Sequence, residues 1–170
     1  MKLTNENKQL TRLAELMQSE RDHLFQYACY RLGSTTEADD VVQDLYLRLW
    51  KQGARLAEIE DLKGYVYRSL INSCISALRS RQQYATTETL DTLSSEDLVP
   101  KDFEQEFQLI ERLMALLPDE QSEVIRLRIY GGRQFDEIAS ICKIPLTTAK
   151  SRFRYGIDKL REALEKRGLI

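Results

Sequence analysis

The sequence predicts an all-α chain of two small helical domains joined by a flexible acidic linker. Three observations carry that expectation. Apolar residues recur at three- and four-residue intervals over long stretches, strand-like alternation is nearly absent, and glycine and proline are few, 7 and 3 in 170 residues. A hydrophobic content of 42% is that of an ordinary soluble globular protein, so no disulfide or metal staple is needed to complete a core.

The opening MKLTNENKQL is polar and lacks the apolar core of a signal peptide, and no stretch approaches the ~18 uninterrupted apolar residues of a membrane span. A cytoplasmic protein without direct membrane insertion is expected. Cys29, Cys74 and Cys142 are widely spaced and accompany a single histidine, His23. They are expected to be small buried apolar residues, with no metal site, cofactor or disulfide framework.

In the first block, QYACYRLG ends a helix at Gly33, and STTEADD supplies capping hydroxyls and first-turn carboxylates for the next, which runs to about Gln52. Val41, Val42, Leu45 and Leu49 form its predicted inner stripe. Asp40, Gln43, Asp44, Leu47 and Trp50 fall on the remaining surface. A third helix is expected from about Leu62 to Gln82, with Tyr67, Ile71, Cys74, Ile75 and Leu78 on one side and Arg68, Asn72 and Arg79 on another.

Residues 86–102, TTETLDTLSSEDLVPKD, change character: hydroxyl and carboxylate side chains dominate and aromatics are absent. Too little apolar surface is available there to offset the entropy of ordering the backbone. The domains are therefore placed at 1–85 and 103–170, with 86–102 as the linker.

The second block starts with FEQEFQLIERLMALL and continues into a helix with Pro118 in its first turn. Gly131 and Gly132 break the pattern. Phe135, Ile138, Ala139 and Cys142 then repeat at i, i+3, i+4 and i+7, as in a two-turn helix packed by one face. A last helix begins near Pro145, with Ala149, Phe153, Ile157, Leu160 and Leu164 as its inner stripe. Thr148, Lys150, Ser151, Arg152, Arg154 and Tyr155 remain for a partner. Two short helices and a tight turn make a helix-turn-helix, whose second helix fits the DNA major groove. The net charge of −2 does not oppose this, because from Lys143 onward eight cationic residues face three carboxylates, a balance of +5. Where such turns often carry glycine, the chain has Lys143, at a cost of about 1 kcal/mol if its φ is positive.

Two stretches together resemble a known family. ADDVVQDLYLRLW (38–50) followed by LKGYVYRSLINSCISALRSR (62–81) is similar to sigma region 2, and 116–164, LLPDEQSEVIRLRIYGGRQFDEIASICKIPLTTAKSRFRYGIDKLREAL, is similar to sigma region 4. The chain thus resembles the extracytoplasmic-function, group IV, sigma factors of bacteria, which keep only these two regions. The resemblance implies a non-catalytic initiation subunit that binds core RNA polymerase and directs it to promoters. It implies that Asp40, Gln43, Asp44, Leu47 and Trp50 meet the clamp helices of the polymerase's largest subunit. An exposed Trp and Leu ringed by carboxylates suit such an interface; the alternative is that Trp50 plugs the base of the first block.

For the minus-ten element the resemblance points to Tyr65, Tyr67, Arg68 and Asn72, types that stack on or hydrogen-bond to unpaired bases, with Arg79 and Arg81 as phosphate contacts. Both tyrosines could instead be core residues, Tyr67 more readily because it shares a face with Ile71. For the minus-thirty-five element it points to the outer residues of the last helix, with Arg152 the leading base reader because arginine pairs bidentately with guanine. A fully extended linker spans at most ~65 Å, close to two duplex turns of ~34 Å. Relatives are commonly held by an anti-sigma factor, often membrane-anchored, and no small-molecule substrate is implied. Two other readings stay open on the residues alone: a dimeric helix-turn-helix regulator that binds an operator without polymerase, and a helical adaptor between proteins. No Ser/His/Asp or metal-ligand constellation supports an enzyme.

Overall fold

The computed structural model describes residues 4–87 and 101–170, with side chains for 4–84 and 103–170. Among them every element is helical, and the chain divides into two compact units, Met1–Leu98 and Val99–Ile170. The expected linker at 86–102 lies largely outside the described residues; its two ends belong to helices, one running to Thr87 and one starting at Lys101.

The first unit holds α1 (Asn5–Ser19), α2 (Arg21–Leu32), α3 (Thr35–Gln52), a 3-10 stretch (Gly53–Glu58) and α4 (Leu62–Thr87). The boundary between α2 and α3 follows local chemistry. Gly33 takes the left-handed conformation at φ 70° and its N–H donates to the Cys29 carbonyl, while the Ser34 hydroxyl accepts the Glu37 N–H at 3.2 Å. Leu13, Leu24, Tyr27, Leu45, Leu56 and Leu70 are fully buried and form the centre. Each such leucine contributes about 1.5–3 kcal/mol of burial, which is what closes the bundle.

Two expectations about this unit shift. In α3 the buried stripe is Ala38, Leu45 and Leu49, with Val41 and Val42 only half-buried. In α4 the buried residues are Leu62, Val66, Tyr67, Leu70 and Cys74, and Ile75 is exposed. The inner face of α4, which packs on α2 and α3, is therefore turned toward Val66 and Leu70 rather than Ile71 and Leu78.

The second unit holds α5 (Lys101–Met114), α6 (Asp119–Ile129), α7 (Phe135–Cys142) and α8 (Leu146–Lys166). Pro118 stands just before α6 as its N-cap, one position earlier than the first turn. Met114, Leu117 and Ile125 form a buried cluster against which Ile110, Phe153, Ile157 and Leu160 pack. The α8 stripe thus faces inward as expected, and the Phe153 ring meets Phe135 of α7 edge-on at 5.4 Å. α6 and α8 approach closely at Gly156, which is buried: a Cβ there would lie 2.6 Å from Ile125 Cδ1.

Candidate polymerase and nucleic-acid interfaces

The helix-turn-helix is held by a knot of arginines at its entrance. Arg133 is 4% exposed; its Nε donates to the Gly131 carbonyl at 2.8 Å and its guanidinium pairs with Glu137 at 3.2 Å. Glu137 also accepts the Gln134 N–H at 2.8 Å, the carboxylate half of a capping box that starts α7. Arg128 donates to the Arg133 carbonyl at 2.9 Å and to Gln134 at 3.0 Å, and its guanidinium sits 4.8 Å above the Phe135 ring. The turn between α7 and α8 passes through Lys143 at φ 55°, ψ 48°, a left-handed conformation, so the cost of a side chain at this position applies.

On α8, Ala149 and Gly156 are buried, which aims the opposite face outward. At about 100° per residue, Thr147, Ser151, Arg154 and Tyr155 lie on that outward face, with Thr148 and Lys150 at its flanks. Lys150, Arg154 and Tyr155 are exposed; Thr148 and Ser151 are half-buried, and the Ser151 hydroxyl donates back to the Thr147 carbonyl at 2.8 Å. The Arg154 guanidinium lies 5.2 Å from the Tyr155 ring. Arg152, the leading base reader by sequence, is half-buried on the side of α8 toward α7. There it acts on Cys142: burial and Glu123 push that thiol up to about 11, and Arg152 opposes them. Arg154 and Lys150 are better presented, and Thr147 and Asp158 also stand on the exposed side.

In the first unit, Asp40, Gln43, Asp44, Leu47 and Trp50 fall within an arc of about 120° on α3, and all five are exposed. Leu47 is 55% and Trp50 41% exposed, so Trp50 is not a plug, although its ring packs at 5.6 Å on Tyr46 and lines a groove with Leu10, Thr11 and Ala14 of α1. Asp44 lines a second groove, shared with Asn72, Ser69 and Ser73 of α4.

The predicted minus-ten residues separate into groups. Tyr67 is fully buried and its hydroxyl donates to Glu20 at 2.8 Å, which removes it from any stacking surface. Glu20, itself 7% exposed, is further compensated by Lys63 at 3.2 Å, as a buried carboxylate requires. Arg81 has a structural tie as well: it is exposed, but both terminal nitrogens donate to the Leu32 carbonyl at 3.1 Å and one pairs with Glu37, so it holds the C-terminus of α2. Tyr65 is half-buried, its hydroxyl accepting from Gln52 Nε2 at 3.2 Å. Arg68 is half-buried, and Asn72 and Arg79 are exposed.

Sequence reasoning passed over α1 entirely. Its signal was present, since Leu10, Leu13, Ala14 and Met17 stand at i, i+3, i+4 and i+7, but the polar first ten residues masked it. Arg12, whose guanidinium reaches the loop before α4, was missed with it: it donates to the carbonyls of Ile59 at 3.5 Å and Glu60 at 3.2 Å. Among the described residues no group of His, Cys, Asp and Glu is placed to hold a metal ion, and no helix is long and apolar enough to cross a membrane.

A four-helix unit with an exposed acidic and apolar helix face, followed by a unit ending in a cationic helix-turn-helix, defines a protein that joins a protein partner to DNA. Residues 16–84 match the family Sigma-70 region 2 and residues 113–162 match Sigma-70, region 4, together more than half of the chain. The chain is 27% identical over 165 residues to the ECF RNA polymerase sigma factor SigW of Bacillus subtilis, covering 89% of this chain and 88% of SigW. It is 27% identical over 150 residues to SigL of Mycobacterium tuberculosis, covering 86% and 85%. Its fold is that of CnrH, solved with the cytosolic domain of CnrY, with TM-score 0.66, 16% identity and coverage of 95% and 96%. RpoE of Bartonella quintana, solved with the anti-sigma factor NepR, superposes with TM-score 0.59, 22% identity and coverage of 91% and 95%. The chain belongs to the sigma-70 family, in its extracytoplasmic-function class.

Proposed function

We propose that this sigma factor docks on the clamp helices of core polymerase through the α3 face of Asp40, Gln43, Asp44, Leu47 and Trp50. It captures the opened minus-ten strand with Tyr65, Arg68 and Asn72, and reads the minus-thirty-five duplex with Lys150, Ser151, Arg154 and Tyr155. The observation that carries this reading is the order of a region 2 and a region 4 in one chain, each with an exposed face of the required chemistry. An apolar pair ringed by carboxylates and amide suits a protein interface, and a cationic helix face suits phosphates and base edges. The operator-binding dimer loses its ground, because a regulator of that kind has no use for region 2.

The chain acts in the cytoplasm, catalyses no reaction itself and is restrained by an anti-sigma factor, membrane-anchored or soluble, a reading supported by analogy of fold with RpoE, which is bound to the anti-sigma factor NepR. The domain bounds 1–85 and 103–170 put one function in each block, joined through 86–102. The test is binding of the purified chain to bacterial core RNA polymerase, alongside the double variant Asp44→Ala, Trp50→Ala. Tight binding that the variant loses supports the reading; absence of binding by a folded parent chain overturns it.

A further inference from the structure

α1 runs along the connection between the helix assigned to polymerase and the helix assigned to the minus-ten strand, lying against its start and hydrogen-bonded to its end. At the first end Glu6 lies against Gly53, where the chain leaves α3 at φ 54°: a Cβ on Gly53 would stand 2.7 Å from Glu6 Oε1. At the other end Arg12 donates to the carbonyls of two successive residues, Ile59 at 3.5 Å and Glu60 at 3.2 Å. Arg12 stands six helical steps after Glu6, a rise of ~9 Å. Between these points Leu56 is fully buried and the Ile59 N–H donates to its carbonyl at 3.2 Å.

Asp61 follows directly on the clamped carbonyls. Its Oδ1 accepts the Gly64 N–H at 2.9 Å and its carbonyl accepts the Tyr65 N–H at 3.0 Å, so the residue next to Glu60 starts α4. A Cβ on Gly64, which is buried, would stand 2.1 Å from Asp61 Oδ2 and 3.2 Å from the Arg68 guanidinium, so Asp61 and Arg68 both lie close against this first turn. The position of Ile59 and Glu60 therefore sets where the turn carrying Tyr65 and Arg68 begins.

We infer that α1 is a splint for strand capture, and that Arg12 is a positioning residue which fixes the 59–61 loop, and with it Tyr65 and Arg68, without touching DNA. The inference rests on the assignment of α4 to the minus-ten strand. Residues 5–15 of α1 precede the matched region 2 at 16–84, so the device belongs to a part of the chain that the family match does not reach. Two hydrogen bonds from one planar guanidinium to consecutive carbonyls suit arginine in particular, since a lysine ammonium is a single point donor.

The experiment uses reconstituted holoenzyme. Core polymerase with the parent chain is first offered a promoter library randomised over both elements, and the selected promoter is then used to compare the parent, Arg12→Ala and Arg12→Lys. Strand opening is followed by fluorescence of 2-aminopurine placed in the minus-ten element; polymerase binding, closed-complex formation and the melting temperature are measured in parallel. The expected result for Arg12→Ala is a loss of about tenfold in opening, with polymerase binding and closed complex changed by no more than about twofold. Arg12→Lys is expected to fall between the two, and it decides the matter should the alanine variant fail to fold. Opening equal to the parent in the folded variants, or opening and polymerase binding falling together, overturns the splint. If the parent holoenzyme selects no minus-ten sequence, the assignment of α4 fails instead.

Discussion

α4 and α8 are both long helices bearing tyrosines and arginines assigned to DNA, and they present them in different ways. α8 rests on its unit by one face, so Lys150, Arg154 and Tyr155 stand outward. α4 packs against both α2 and α3, and its polar residues are divided: Tyr67 is tied to Glu20 in the core, Arg81 is exposed but bonded to the end of α2, and Asn72 and Arg79 stand at the surface. Both helices keep an outward side, but on α8 most of the assigned polar residues fall on it, whereas on α4 they are shared between folding and the surface, and residue type alone does not tell the two uses apart.

The largest effect expected is on stability in the second unit. Phe153→Ala removes a ring packed on the Met114, Leu117 and Ile125 cluster and on Phe135, and should destabilise this unit by roughly 3 kcal/mol. An unchanged unfolding transition would show that the inner face of α8 is misplaced, and with it the outward face.

Next is the outward face itself. Arg154→Ala and Lys150→Ala should each reduce binding of holoenzyme to a minus-thirty-five duplex by about 1–3 kcal/mol if they meet bases, or lower the salt dependence if they meet phosphates. Arg152→Ala should do less, because that side chain is half-buried toward α7. A larger loss from Arg152 than from Arg154 would reverse the geometry assigned to α8.

For α4 the sharpest probe is a pair. Tyr67→Phe leaves buried Glu20 with one partner fewer and should destabilise the first unit by about 1–3 kcal/mol. Promoter opening by the variant that stays folded should be unaffected. Tyr65→Phe should show little change in melting temperature, since the bond it loses is a part-buried one to Gln52. If Tyr67→Phe impaired opening while leaving stability intact, the division of labour along α4 would be wrong.

How much of this was legible in the sequence depended on whether the apolar residues of a helix left one face to choose or two. On α8 the periodicity placed the inner stripe, whereas on α7 it gave the right helix with a shifted face: Ile138 and Ile141 are buried, and Phe135, Ala139 and Cys142 are half-buried. The glycine at 33 and the serine at 34 mark the α2 to α3 boundary by conformational and hydrogen-bonding rules that need no tertiary context. α4 defeated the same reading because Val66, Leu70 and Ile71 are all apolar, and the choice between adjacent faces is made by α2 and α3. The roles of Arg12, Arg81 and Arg133 were not legible at all: each donates to backbone carbonyls far along the chain or around a turn, and such partners leave no mark in side-chain spacing.

The smallest effect concerns the joint that sets the angle of α8. Lys143 occupies the left-handed region at φ 55°, its N–H donating to the Ser140 carbonyl at 3.3 Å while Ile144 N–H donates to Ala139 at 3.0 Å. A residue with a Cβ pays about 1–2 kcal/mol to sit there, whereas glycine does not but has more freedom to lose on folding, about 0.4–1 kcal/mol. Lys143→Gly should therefore stabilise the second unit by roughly 0.5–1 kcal/mol, read as a higher denaturant midpoint at unchanged slope. The same substitution removes one cation from the +5 segment. Were Lys143 a phosphate contact, the variant would be more stable and yet bind duplex more weakly, with a shallower salt dependence. Greater stability with unaltered binding would mean that lysine is strained at this turn without serving DNA, and a lower midpoint would show that the turn does not need the left-handed conformation at 143.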